Sequence, residues 1–143
     1  MTTKRILVPI SETDPSSAIS VVRGVARDQG STVRLLRVFA VPERVVGPQG
    51  RTIAYADQEM ERLTATGLAE MELAESDLAG VPVERVVRFG EPVEEILREA
   101  EAFDADLIAL TTPPRSRLGS ALAPGISERV LHAAPVPVLL LRG

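Results

Sequence analysis

The chain has 143 residues and a mass of 15.3 kDa, enough for one domain with one core; 45% of its residues are apolar but only 3% aromatic, so Val, Leu, Ile and Ala must build that core, as suits helices packed on a parallel sheet. The absence of cysteine excludes structural disulfides, thiolate catalysis and cysteine-held zinc or iron–sulfur centres, and fits a reducing cytoplasm. A formal net charge of -4 offers a phosphate backbone no overall attraction, so no nucleic-acid partner is expected, and neither Met1–Ile10 nor Val136–Leu141 has the length of a signal-peptide core or of a membrane span, which needs roughly 20 apolar residues.

Arg5 to Ile10 is a short apolar run without alternation, the pattern of a strand buried on both faces. Asp14-Pro15 then supplies an N-cap and first-turn pair, and Ala18, Val22, Val25 and Ala26 recur at helical spacing until Gly30, a natural stop. Thr32 to Val38 reads as a second strand. Pro42 to Arg51 holds prolines and glycines without periodicity and reads as a loop. In the next helix Met60, Leu63, Gly67, Met71, Ala74 and Leu78 fall on one stripe, with Glu61, Arg62, Glu70, Glu72 and Glu75 around it. Val83 to Phe89 is a third strand, followed by Gly90-Glu91-Pro92 and a helix that turns Val93, Ile96, Leu97 and Ala100 inward. Asp106 to Thr111 is a fourth strand, Ile126 to Ala133 a last helix, and Val136 to Leu141 a fifth strand.

Strands alternating with helices predict an α/β domain over residues 1–143, with a five-stranded parallel sheet covered by helices on both faces. Ligands of such sheets sit beyond the carboxyl ends of the strands, where the winding reverses. That rule points to Pro9, Ile10 and Ser11 after the first strand and to Thr111 through Ser120 after the fourth.

Catalysis has little to work with. His132 is the single histidine and stands near a helix end, where it complements the helix dipole. Glu59, Glu61, Glu70, Glu72, Glu75, Glu94, Glu95, Glu99 and Glu101 read as solvated helix faces, with i,i+4 partners such as Glu94 and Arg98. No nucleophile elbow, phosphate-binding P-loop or dinucleotide fingerprint occurs. Neither a catalytic set nor a metal site is expected.

K-R-I-L-V-P-I (Lys4 to Ile10), G-E-P-V-E-E-I (Gly90 to Ile96), A-D-L-I-A-L-T-T-P-P-R-S-R-L (Ala105 to Leu118) and I-S-E-R-V-L-H-A-A-P-V-P-V-L-L-L-R (Ile126 to Arg142) together resemble the universal stress protein family. The resemblance implies a Rossmann-like sheet of order 3-2-1-4-5, a homodimer and, in one branch, ATP held by the motif G-x2-G-x9-G-[ST]. Glycines there let backbone N–H groups approach phosphates, and the closing Gly-Ser opens a helix whose N-terminus favours an anion.

This chain departs from that motif at every defined position: Thr111, Pro114, Pro124 and Gly125 stand where Gly, Gly, Gly and Ser/Thr would be. Proline has no N–H to donate and adds a ring. Ser11 replaces the acidic residue usual after the first strand. The expectation is a binding or regulatory module without cofactor, acting through protein contacts with an unidentified partner. The alternative is a sensor of an adenine nucleotide, ATP or AMP, or of a small anion. Its site would be built from Pro9, Ser11, Val38, Thr111, Thr112, Arg115, Ser116, Gly125, Ile126 and Ser127. For the homodimer, Val136, Val138, Leu139, Leu140 and Leu141 are the expected interface, because an apolar edge strand is an open pairing template.

Overall fold

The computed structural model describes residues 3–11, 16–42, 45–46, 52–53, 55–112 and 125–142. The elements are β1 (Arg5–Pro9), α1 (Ser16–Gln29), β2 (Thr32–Phe39), β3 (Val45–Val46), β4 (Thr52–Ile53), α2 (Tyr55–Glu75) with a 3-10 turn at Ser76–Leu78, β5 (Val83–Phe89), α3 (Pro92–Phe103), β6 (Leu107–Thr112), α4 (Ile126–Ala133) and β7 (Val138–Arg142). Five strands form one sheet in the order β5-β2-β1-β6-β7, and every ladder in it is parallel. Numbered among themselves, those strands run 3-2-1-4-5, as the resemblance implies.

The period of two in the strands divides the core between the two faces. Ile6, Val8, Val33, Leu35 and Ala109 join Ile19 and Val22 of α1 and Met71 of α2 in one cluster. Leu7, Leu36, Ile108 and Leu110 join Val93, Ile96, Ala100 and Phe103 of α3 and Val130 of α4 in the other. Helices therefore cover both faces, and β1 has no solvent side. The stripe read from the sequence holds on α2, where Gly67 and Met71 are buried. Gly67 packs closely against the sheet: an added Cβ would lie 3.0 Å from Phe39 and 3.1 Å from Val87, so those side chains would have to shift to admit it.

Several bounds shift. The segment expected as loop contains β3, which pairs antiparallel with β4; two such short strands satisfy their own backbone groups without signalling an alternation. The helix read from Met60 begins at Tyr55, and β7 begins two residues after Val136. The Asp14-Pro15 pair expected to start α1 lies outside the described residues.

One expectation is corrected. Glu95 and Glu99 are not part of a solvated face; they are 6% and 3% exposed. The strands beneath α3 turn arginines toward that helix from the same face as Leu36 and Val86. Arg34 meets Glu99 at 2.6 Å, Arg88 meets Glu99 at 2.8 Å and Glu95 at 3.0 Å, and Arg98 meets Glu95 at 2.7 Å. The Arg34 guanidinium also stacks 4.1 Å above the Phe103 ring. A buried carboxylate is tolerable only with such partners, and among the described residues no buried side-chain polar atom lacks one.

Candidate functional site at the carboxyl ends of the strands

The β1–β2 ladder runs for five residue pairs, Arg5↔Thr32 to Pro9↔Leu36, but β1 pairs β6 only at Ile6↔Leu107 and Leu7↔Ile108. Beyond Ile108 strand β6 continues its ladder with β7 alone. The crevice thus lies where the strand order reverses, the place a parallel sheet offers a ligand.

A cavity of about 160 Å³ occupies it, lined by Pro9, Ile10, Ser11, Leu36, Arg37, Val38, Pro92, Ile96, Leu110, Thr111, Ile126 and Ser127. Strands β1, β2 and β6 supply its floor, and the first turns of α3 and α4 its rim. The wall is mainly aliphatic, with hydroxyl groups at Ser11, Thr111 and Ser127. Arg37 is held away on the opposite face: its Nε donates to Glu70 at 2.8 Å and its guanidinium stacks on Phe39.

The two helix starts differ. Glu91 caps α3, accepting from the Glu94 N–H at 2.8 Å, and its other oxygen pairs with Arg129 of α4 at 3.0 Å. The backbone hydrogen bond from Glu94, assisted by that from Val93 and by Arg129, holds the Glu91 carboxyl below the usual range. A carboxylate therefore already occupies the positive end of the α3 dipole. Helix α4 opens at Gly125 without a side-chain cap. Gly125 has φ -57, and a Cβ there would meet nothing nearer than the Ser127 nitrogen at 4.0 Å, so its backbone does not demand glycine.

Of the residues expected at a ligand site, the structure brings Pro9, Ser11, Val38, Thr111, Ile126 and Ser127 to this cavity. Gly125 adjoins it as the α4 cap, and Thr112 follows as the next residue of β6. Arg115 and Ser116, like Pro114 and Pro124, lie outside the described residues. Sequence reasoning missed Leu36, Pro92, Ile96 and Leu110; a rule that names the turns after two strands does not register the side chains of neighbouring strands and helices that close the walls. His132 is exposed on the last turn of α4 and does not line the cavity. Among the described residues no group of three or more His, Asp and Glu is placed to hold a metal ion, and no helix is long and apolar enough to cross a membrane.

Residues 2–142 match the model of the universal stress protein family. A universal stress protein of Mycobacterium tuberculosis is 32% identical over 132 residues, covering 90% of this chain and 43% of the relative; the chain spans less than half the length of that mycobacterial protein. A universal stress protein of Methanothermobacter thermautotrophicus is 33% identical over 104 residues, 73% of this chain and 67% of the relative. Among solved structures, a universal stress protein in complex with cAMP superposes with a TM-score of 0.69 at 16% identity, covering 99% of this chain and 98% of that one. One from Archaeoglobus fulgidus in complex with dAMP gives 0.63 at 18%, covering 98% of each chain. At these identities the two structures share the fold with this chain.

Proposed function

The chain belongs to the universal stress protein family, and from that premise we propose that it is a stress-response binding module that does not hold ATP and acts through protein contacts as a homodimer joined along β7. The observation that carries the reading is the contrast between the two sheet edges. Edge strand β5 reads VERVVRF and is blunted by the exposed Glu84 and Arg85, the usual defence of an open edge. Edge strand β7 reads VLLLR, pairs only with β6 among the described residues, and leaves Leu140 43% exposed. Pairing with the same strand of a second chain about a two-fold axis would continue the sheet across the two copies and cover the exposed Leu140 and its neighbours Val138, Leu139 and Leu141 on both.

The ATP part rests on the cleft. Thr111 lines it where the nucleotide motif has its first glycine, and its volume is small beside the roughly 300–1,000 Å³ of ordinary ligand pockets. The second reading, a sensor of a small adenine nucleotide or anion, is favoured by the position of the cavity and by the cAMP and dAMP carried by the two similar structures.

Calorimetry and thermal shift with ATP, AMP, cyclic AMP and phosphate separate the two, since a ligand at 100 times its dissociation constant stabilises by about 2.7 kcal/mol. ATP is expected to give neither heat nor shift. Low-micromolar ATP binding would overturn the reading. A response to AMP or cyclic AMP alone would favour the sensor.

A further inference from the structure

The cleft is small, about 160 Å³, and mainly aliphatic, and the charges that border it are already answered. Arg37 gives its guanidinium to Glu70 at 2.8 Å on the opposite face. Arg129 stands two residues after the lining Ser127 and pairs at 3.0 Å with Glu91, which stands immediately before the lining Pro92. The pair therefore ties together the two helix starts that form the rim. Helix N-termini favour anions, but here each already has a carboxylate. Glu91 caps α3, accepting from the Glu94 N–H at 2.8 Å. Helix α4 has no side-chain cap and carries Glu128 in its first turn.

We propose that the cleft selects an uncharged nucleoside over its phosphate, and that Glu91 is the specificity-determining residue, because it holds Arg129 and keeps a carboxylate at the rim. The inference deepens the second reading, on which it rests: the compound sensed is the nucleoside and not the nucleotide. A phosphate at the rim must take Arg129 from Glu91 or lie beside Glu91 and Glu128, and it gives up water to aliphatic walls that offer no replacement. A nucleoside meets neither cost. Its ring packs on Leu36, Ile96 and Leu110, and its polar atoms face the hydroxyls of Thr111 and Ser127, each of which can donate and accept. The small volume sharpens the choice, since every added phosphate needs room as well as charge.

The test uses the full chain with adenosine and AMP, a matched pair that differs by the phosphate, titrated by calorimetry at low and high sodium chloride. Adenosine should bind at least about tenfold tighter than AMP, and the disadvantage of AMP should shrink as salt screens the rim carboxylates. Glu91→Gln keeps an amide oxygen for the Glu94 N–H but frees Arg129, and should improve AMP relative to adenosine by about tenfold. Arg129→Gln should not improve that ratio, nor should Glu72→Gln on the far face of α2, and Thr111→Val should weaken adenosine several-fold. AMP binding tighter than adenosine in the wild type, whatever Arg115 and Arg117 beyond the described residues supply, would overturn the inference and leave the sensor reading standing. A Glu91→Gln change that moves both ligands alike would mark a structural role and overturn the assignment of Glu91. Binding of neither compound would overturn the sensor reading and this inference with it, and leave the protein-contact reading untouched.

Discussion

Gly90 adopts φ 151 and donates its N–H to the Phe39 carbonyl at 2.9 Å, closing β5 against β2 just before α3 begins. A Cβ there would lie 2.9 Å from both Cγ and Oε2 of Glu95, and Glu95 is pinned by Arg88 and Arg98. Gly90→Ala therefore meets both a backbone penalty and a wedged carboxylate, and should lower stability by about 1–3 kcal/mol in urea titration; an unchanged midpoint would contradict the contact. At the other end of the sheet Asp106 accepts the N–H groups of Lys4 and Arg5 at 2.8 and 2.9 Å. Those bonds, Lys4 first, hold its carboxyl below the ordinary 3.8. A depressed folded value makes the contribution complete above the unfolded value and lost as pH falls through the folded one. Wild type should thus exceed Asp106→Asn in stability at neutral pH, and the difference should fade as pH drops below 3.8. A difference that grows on acidification would refute the tether.

At the scale of elements, α3 shows where one-dimensional patterning stops. Of the positions read as inward, Val93, Ile96 and Ala100 are buried and Leu97 is partly buried; Phe103, not read from the sequence, joins them. Glu95 and Glu99 flank that stripe, and whether a flank is wet depends on what the sheet presents to it. The clue was indirect: Arg34 and Arg88 interrupt otherwise apolar strands, and a strand buried beneath a helix keeps a charge only when the helix answers it. Glu99→Gln leaves two guanidinium groups short of a charged acceptor and should cost about 1–3 kcal/mol, reduced because Arg34 and Arg88 are themselves 22% and 28% exposed. Glu72→Ala on the wet face of α2 should be nearly neutral. Equal costs for the two would return Glu99 to the surface role read from the sequence. The β3–β4 ribbon was illegible for a simpler reason, since two residues per strand cannot display a period.

Across the whole molecule, the parallel sheet and the position of the cleft were readable from connectivity, because strands joined by helices that cover both faces must reverse their winding somewhere, whereas the strand order came only from the family resemblance. Pro9, Ser11 and Thr111 were named from that rule, while Val38, Ile126 and Ser127 entered among the candidate ligand contacts, and the structure gathers all six at one cavity. The walls from Leu36, Pro92 and Ile96 depended on packing across elements and had no sequence signature. The apolar edge at β7 was read from the sequence, and the ladder confirms it as an edge; the charged opposite edge at β5 was not singled out and emerges from the ladder. Under the proposed homodimer, one edge stays single and the other pairs. Sedimentation velocity at micromolar concentration, on wild type and on Val138→Lys with Leu140→Lys, measures this most directly. Wild type should sediment as a dimer and the double variant should shift to monomer or aggregate, whereas a wild-type chain that stays monomeric at high concentration would contradict the pairing.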